Sequence, residues 1–358
     1  MEVFKLSDIA KFTTGKLNSN AAETGGKYPF FTCAPEPLRI NTYAFDTEAI
    51  ILAGNNAEGN FHIQYYEGKF NAYQRTYVIE SCDASRVNLR YLYYALKMCL
   101  RHFKQISQGT ATKFLTAKIL NGFEVPIPTI ELQNKIASLL GALDEKLEAN
   151  ESINKNLYEQ MLAIFDNAKR TSSWHAHKLG DVLTFFDNLR KPLSSIQRAK
   201  MTHIYPYYGA TSIVDYVEDY LFDGTYILIS EDGANVVDAS GHPLTQYTYG
   251  KFWVNNHAHI VKGTSSYSNA LIYAILGMLN MQSIVTGAAQ PKINQANLRN
   301  FETALPENEE AQTLSSVLNP MFKQMIHHDQ ENEKLSALRD TLLPQLMSGE
   351  LDVSDIDL

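Results

Sequence analysis

Cysteine, proline and tryptophan are sparse in this chain of 358 residues, with 3, 12 and 2 copies. The three cysteines, Cys33, Cys82 and Cys99, are odd in number and lack CxxC spacing, which argues against a disulfide framework. With 19 glycines and no low-complexity tract, collagen-like and repetitive fibrous architectures are excluded. No run approaches the ~18–20 apolar residues of a membrane span. The opening residues Met1-Glu2-Val3-Phe4-Lys5 lack the basic start and apolar core of a secretory signal. A reduced, cytoplasmic setting is the expectation. Nucleotide and hydrolase fingerprints are missing too: there is no GxGxxG, no GxxxxGK[ST], no GxSxG and no HExxH.

What is present is an ordinary globular composition, 45% hydrophobic and 20% charged, with a formal net charge of −8. That charge is unevenly spread. Residues 1–128 carry +3, 129–172 carry −2, 173–306 carry −1 and 307–358 carry −8. The acidity sits in the last segment, so a basic groove elsewhere remains compatible with the total. Non-specific electrostatic binding of DNA by the whole chain is disfavoured.

An ordered internal repeat organises the sequence. Leu6-Ser7-Asp8-Ile9 returns as Leu179-Gly180-Asp181-Val182, Tyr28-Pro29-Phe30-Phe31 as Tyr205-Pro206-Tyr207-Tyr208, and Phe45-Asp46 as Phe222-Asp223. Gly68-Lys69-Phe70 returns as Gly250-Lys251-Phe252, and Gly109-Thr110-Ala111-Thr112-Lys113 as Gly287-Ala288-Ala289-Gln290-Pro291-Lys292. Each copy has a globular part followed by a helical arm. In the globular parts, the short apolar runs 49–53 and 225–229 read as strands, each before a Gly/Asn/Asp-rich turn. Residues 91–102 and 269–280 read as helices, giving an α+β class.

The arms carry the clearest periodicity. Ile136, Leu140, Leu143, Leu147, Asn150, Asn154, Leu157, Met161 and Ile164 step alternately by four and three. So do Leu314, Leu318, Met321, Met325, His328, Asn332, Leu335, Arg339 and Leu342. Such spacing lines one seam of a coiled-coil helix. Both seams turn polar at their midpoints, Asn150/Asn154 and His328/Asn332. An antiparallel pair would bring those midpoints together and fix register. Pro320 is expected to kink the second arm or to mark a late start. Two surface helices packed on their own domains is the plainer alternative.

Candidate chemistry is thin. The pairs His175/His177 and His257/His259 have the HxH spacing of metal ligands on a strand, but with no Cys or further His cluster at useful spacing, satisfied or surface histidines are the expectation. Glu231-Asp232 is an acidic pair at a turn where the first copy has Asn55-Asn56, so an acid is not required there. Recognition residues diverge between duplicated copies more readily than catalytic ones, which favours binding. The polar residues of the turn and hairpin regions suit base reading: Asn55, Asn56, Tyr65, Lys69, Asn71, Gln74 and Arg75 in copy one. In copy two they are Glu231, Asp232, Asn235, Gln246, Tyr247, Lys251, Asn255, Asn256 and His257. Asn and Gln suit adenine, Arg and Lys guanine, Asp and Glu cytosine N4. Lys113, Gln290 and Lys292, in Gly-containing loops, are candidates for DNA contact, the two lysines for phosphate.

The order of globular unit, long helix, globular unit, long helix resembles the specificity (S) subunits of type I restriction–modification enzymes over essentially the full length. Leu6-Ser7-Asp8-Ile9 with Thr14-Gly15-Lys16, and Trp174 before Leu179-Gly180-Asp181-Val182, look like the starts of two target-recognition domains. Gly109 to Leu115, Val125-Pro126-Ile127-Pro128 and Leu132-Gln133-Asn134-Lys135-Ile136 look like the passage into the first conserved helix. Residues 338–351, Leu338-Arg339-Asp340-Thr341-Leu342-Leu343-Pro344-Gln345-Leu346-Met347-Ser348-Gly349-Glu350-Leu351, are similar to the family's usual ending. Ala304-Leu305-Pro306 departs from the fuller Pro-Ile-Pro pattern.

The resemblance implies recognition domains at 1–130 and 173–308, spacer helices at 131–172 and 309–347, and a tail at 348–358. It implies a non-catalytic DNA reader, each domain binding half of a bipartite target. Two methyltransferase (M) subunits would dock on the antiparallel helices, and restriction (R) subunits would join them. S-adenosylmethionine, ATP and Mg would then reside on those partners, with none on this chain. Rival readings are a modification-only or related two-subunit system, and a tandem-repeat scaffold with no DNA role. A self-contained nuclease or methyltransferase is disfavoured for want of a catalytic motif.

Overall fold

A computed structural model describes residues 1–287 and 289–354. Ala288 and residues 355–358 of the expected tail lie outside the described residues. The chain divides into two compact units, Met1–Glu148 with Glu333–Leu358, and Ala149–Asn332. Both cuts fall inside a long helix, because each helix half packs with the globular part nearest to it.

In the first unit the strand Glu2–Lys5 pairs antiparallel with Glu124–Ile127, closing the domain where the chain enters and leaves it. Between them lies a six-stranded sheet in the order Ala10–Thr14, Thr76–Ser81, Phe45–Ala53, Ile63–Ala72, Tyr28–Phe31, Leu38–Ile40. Tyr28–Phe31 and Ile63–Ala72 run parallel; the other neighbours are antiparallel. The central strand's Ala49-Ile50-Ile51-Leu52-Ala53 run is wholly buried, as a sheet covered on both faces requires. Helix Leu89–Met98 lies in the same core, started by the Asn88 side chain, which accepts the Tyr91 N–H at 2.9 Å.

The second unit repeats this plan. His175–Lys178 pairs with Glu302–Leu305, Tyr205–Tyr208 runs parallel to Lys251–Val254, and Ser268 caps helix Asn269–Met278. The long strands of the first unit are broken here: Phe222–Asp223 precedes Tyr226–Ser230, and Thr245–Thr248 precedes Lys251–Val254. Gly224 and Gly250 stand at the two breaks with φ of 119° and 68°, and the Gly224 N–H donates to the Gly250 carbonyl at 2.9 Å. The six-stranded sheet thus becomes two four-stranded ones.

The long helices are Ile130–Thr171 and Asn308–Ser348. The second continues through Pro320, so the late start expected there is not found. A proline inside a helix costs about 3 kcal/mol, and the burial of Leu314, Leu318, Phe322 and Met325 around it offsets that cost. Within each unit the helices run antiparallel. In the first, Arg339 donates to Asp144 at 3.0 Å and Lys135 to the Ser354 carbonyl. In the second, Ser172 donates to Glu310 at 2.6 Å and Asn150 to Asn332 at 2.8 Å. Ile136, Leu140, Leu147, Asn150, Asn154 and Met161 are buried as the seam requires, and Leu143, Leu157 and Ile164 partly. On the second helix Leu314, Leu318, Met325 and His328 are buried; Met321, Asn332, Leu335, Arg339 and Leu342 are half-buried. The fully buried residues Ala137, Phe165, Phe322 and Leu343 each sit one step past a seam position. These helices cover a domain face as well as each other, so the buried stripe is wider than a two-helix seam.

At the polar midpoint, Asn154 and His328 are joined in one hydrogen-bonded network inside the second unit. Asn154 Nδ2 donates to the Met325 carbonyl at 3.0 Å and to Asp329 at 2.8 Å, and its Oδ1 accepts from His328 Nδ1 at 2.8 Å. His328 Nε2 then accepts from Gln324 at 2.7 Å, which defines one tautomer. Asn154→Leu should lower stability in chemical denaturation by about 1–3 kcal/mol, because His328 is left buried without its acceptor. Adding His328→Leu should return part of that loss. A single variant as stable as the parent would contradict this reading.

Candidate nucleic-acid interface

In the first unit, the loop after the central strand forms a short bridge. Asn55-Asn56 pairs antiparallel with Lys113-Phe114. Three backbone contacts set this place: the Gly54 N–H donates to the Arg75 carbonyl, the Leu115 N–H to the Gly54 carbonyl, and Phe114 exchanges bonds with Gln108. The Arg75 guanidinium lies over the Phe114 ring at 5.4 Å. A side chain at Gly54 would put its Cβ 2.4 Å from the Arg75 carbonyl oxygen, so in the first unit the two backbones approach closely enough to require glycine there.

The second unit builds the same crossing with other side chains. The Glu231 N–H donates to the His257 carbonyl, the Ile293 N–H to the Glu231 carbonyl, and Lys292 exchanges bonds with Thr286. The structural equivalents are therefore Gly54 with Glu231, Asn55 with Asp232, Arg75 with His257 and Phe114 with Lys292. This corrects the alignment drawn from sequence by one residue, since Lys113 had been matched to Lys292 and Asn55-Asn56 to Glu231-Asp232. The backbone hydrogen bonds set the match, and residue type at a turn does not.

Chemistry at the equivalent places differs. Glu231 is largely buried and accepts from Arg190 Nη1 at 2.6 Å, with Lys292 Nζ at 3.0 Å on its other oxygen. Arg190 also donates to the Asn256 and Ala258 carbonyls, at 3.4 and 2.8 Å. His259, 1% exposed, meets Asp187 at 2.6 Å through Nδ1 and the Ile293 carbonyl at 2.8 Å through Nε2. Both partners accept, so the ring donates from both nitrogens. His257 Nδ1 meets Asp232 at 2.5 Å. The two histidines of this HxH pair serve different carboxylates and do not converge on one point. Asp187, Glu231 and His259 do bring ligand-type atoms within 4.8 Å of one another. Arg190 and Lys292 already balance those carboxylates, so the cluster is an ion-pair lock that holds the surrounding loops.

Several candidate readers occupy other places. Tyr247 is half-buried against Phe322 and Tyr273 and donates to Asp329, so it supports the helix pair. Asn71, 4% exposed, accepts the Ala72 N–H at the end of its strand, and Asn255, 9% exposed, accepts the His257 N–H; both bond the backbone from inside. Asn56 does the same, accepting from the Glu58 and Asn60 N–H groups. Tyr65 is tied to Glu48 at 2.5 Å under Arg90, and burial together with that carboxylate pushes its phenol well above the usual range. Lys69 over Tyr43 and Lys251 over Tyr220, at 4.8 and 4.4 Å, are one feature repeated at both copies. Gln246 is half-buried, its Nε2 3.5 Å from the Gly209 carbonyl oxygen. The exposed set around the crossings is Gln74 and Arg75 in one unit, and Asn235, Asn256, His257 and Gln290 in the other. Half-buried Lys113 and Lys292 lie beside them. Arg190 and Asp187 were missed, because apart from each other their side-chain partners Glu231, His259 and Gln295 are 41 to 108 residues away. Lys104, which donates to Asn60 at 2.7 Å beside the first crossing, was missed likewise.

The lock gives an acid-side pH dependence. Burial alone would raise the Asp187 and Glu231 carboxyls. Hydrogen bonds and attraction from His259 and Arg190, joined at Glu231 by Lys292, outweigh it and hold both below their ordinary 3.8 and 4.5. A carboxyl lowered on folding stabilises fully above its unfolded value and loses that contribution as pH falls through the folded one. Glu231→Gln should therefore cost about 1–3 kcal/mol near neutral pH, because Lys292 loses its carboxylate partner and Arg190 keeps that of Asp187 alone. The gap to the parent should close as pH falls below 4.5. Urea unfolding across a pH series measures it; a gap constant down to strong acid would contradict the lock.

This double arrangement matches a known family. The family described as "Type I restriction modification DNA specificity domain" matches residues 1–159 and again 171–337. The EcoDI specificity subunit of Escherichia coli is 35% identical over 179 residues, which cover 48% of this chain and 39% of that protein. The MjaIX specificity subunit of Methanocaldococcus jannaschii is 23% identical, covering 74% of this chain and 70% of its own. In the first comparison the matched part spans about two-fifths of the relative's length. The crystal structure of a type I restriction–modification S subunit from M. genitalium superposes with a TM-score of 0.61 at 19% identity, covering 96% of this chain and 95% of that one, which shows a shared fold. With the family's domain matched twice, once in each repeat of the fold, the chain belongs to the type I restriction–modification DNA specificity family.

Proposed function

We propose that this chain is the DNA-reading, non-catalytic subunit of a type I restriction–modification complex. Each domain reads one half of a bipartite, asymmetric target, and the paired helices set the spacer between the halves. The observation that carries this reading is the repeated crossing. One backbone arrangement presents Arg75 and Phe114 in one copy and His257 and Lys292 in the other, as two readers of different half-sites would need. Two methyltransferase subunits dock along the helices, where Ile153, Val317 and Leu338 are 44–48% exposed. S-adenosylmethionine, ATP and Mg act on the partner subunits, restriction subunits included.

Mapping methylated adenines across the genome with and without this gene tests the reading. One asymmetric bipartite motif should lose its methylation; if none does, the reading fails. The lysines separate further. Lys113 lies opposite the uncharged Asn56, whereas Lys292 is paired with Glu231. Lys113→Ala should weaken binding across sequences and flatten the dependence of log K on log salt by about one unit, the loss of one phosphate contact. Lys292→Ala should leave that slope nearly unchanged. Equal changes in the two variants would contradict the assignment.

A further inference from the structure

A segment beside the second crossing carries charge that the fold leaves unanswered. It joins the strands Leu183–Phe185 and Tyr205–Tyr208, and it sets Arg190, Lys191, Arg198 and Lys200 against the single carboxylate Asp187. Two of these cations are used within the domain. Arg190 pairs with Glu231 and Asp187, and Arg198 pairs with Asp215 at 2.7 Å. Lys191 and Lys200 are exposed, and neither has an ion-pair partner among the described residues. Between them Ile196 is 70% exposed.

The backbone of this segment is pinned. Trp253 Nε1 donates to the Lys191 carbonyl at 2.6 Å, and the Leu193 N–H donates to the Tyr207 hydroxyl at 2.9 Å. Arg198 lies over the Tyr207 ring at 4.8 Å and donates to the Leu193 carbonyl at 2.6 Å. Ser194 and Gln197 bond each other reciprocally and start the turn Ser195–Arg198. Ile196 is thus held out to solvent by a fixed turn, so little ordering remains to be done on binding. The segment also adjoins the crossing. Arg190 donates to the Asn256 and Ala258 carbonyls on either side of His257, and the Asn255 N–H donates to the Tyr208 carbonyl. The first unit has nothing equivalent. Its residues 15–27 set Lys16 and Lys27 against Glu23, and Leu17, the one large apolar residue among them, is half-buried and bridges to Tyr73.

We propose that residues 191–200 form a second DNA contact of the second unit, with Lys191 and Lys200 on phosphates and Ile196 against the apolar edge of a base, for which the thymine methyl is the natural partner. Unpaired cations on both sides of the apolar tip suit a polyanion, and the Arg190 contacts make the surface continuous with the crossing. The two units would then grip DNA unequally, the second with an added contact.

The proposal rests on the second unit reading DNA, and the test separates the two claims. The full-length chain, assembled with its methyltransferase subunits, is titrated by fluorescence anisotropy onto duplexes of the bipartite motif that methylation mapping gives, over a potassium chloride series. Lys191→Ala/Lys200→Ala should unfold at the parent's temperature, bind more weakly at low salt and flatten the slope of log K against log salt by about two units, the loss of two phosphate contacts. Ile196→Ser should keep the parent's slope and lose discrimination at one position of the half-site set by residues 173–306, by roughly fivefold or more, the scale of one wrong base pair. A parent that binds no bipartite duplex would overturn both claims. A parent that binds, with the lysine variant keeping its slope and affinity, would overturn this contact alone. Loss of methyltransferase association at an unchanged slope would also overturn it, and would mark the segment as a protein contact.

Discussion

The pairing of Asn154 with His328 is the constraint on which the rest of the second unit turns. A two-helix seam made only of leucine and methionine would tolerate slippage by a heptad and either relative direction. A buried amide that needs a ring nitrogen, a backbone carbonyl and a carboxylate together tolerates one register. Tyr247 donates to the same Asp329 from the domain side, so strand Thr245–Thr248 and the helix pair are fixed by one carboxylate. In the first unit the corresponding ties are charged. Asp144 accepts from both Tyr94 and Arg339, at 2.6 and 3.0 Å, and joins the domain helix, the first long helix and the second. Both units thus hold domain and helices together through one acid that two elements share.

On those frames the duplication has diverged where recognition would require it. The incoming and outgoing strands, the parallel strand pair, the helix caps and the lysine-over-tyrosine contacts are kept. The crossing keeps its backbone hydrogen bonds while its side chains change from an arginine stacked on phenylalanine to an ion-paired lock of five groups. The lock costs desolvation and is compensated by its own cations. Its yield is positional: Arg190 binds the carbonyls of Asn256 and Ala258 and so holds the loop that presents His257.

Much of this was legible in the sequence. The alternating steps of four and three marked the helices and their polar layer, because a buried asparagine or histidine interrupts an otherwise apolar seam and cannot be mistaken for a solvated face. The strand runs at 49–53 and 225–229 and the ordered repeat were equally plain. The site was legible only as a region. Tyr247, Asn71 and Asn255 are polar residues that fold inward, and composition does not distinguish a turn's internal hydrogen-bonding side chain from an outward one. Arg190 and Asp187 join a local i,i+3 pair to Glu231 and His259 far along the chain, where periodicity carries no information. The wider stripe on the long helices reflects domain packing that a two-helix pattern omits.

The central claim, that each domain reads its own half-site, is tested most directly by exchange. Residues 173–306 are replaced by the equivalent unit of another specificity subunit of known target, and the methylated sequence of the assembled complex is determined. The account predicts that one half of the motif changes to that of the donor while the other half stays. A change in both halves, or in neither with assembly intact, would contradict it.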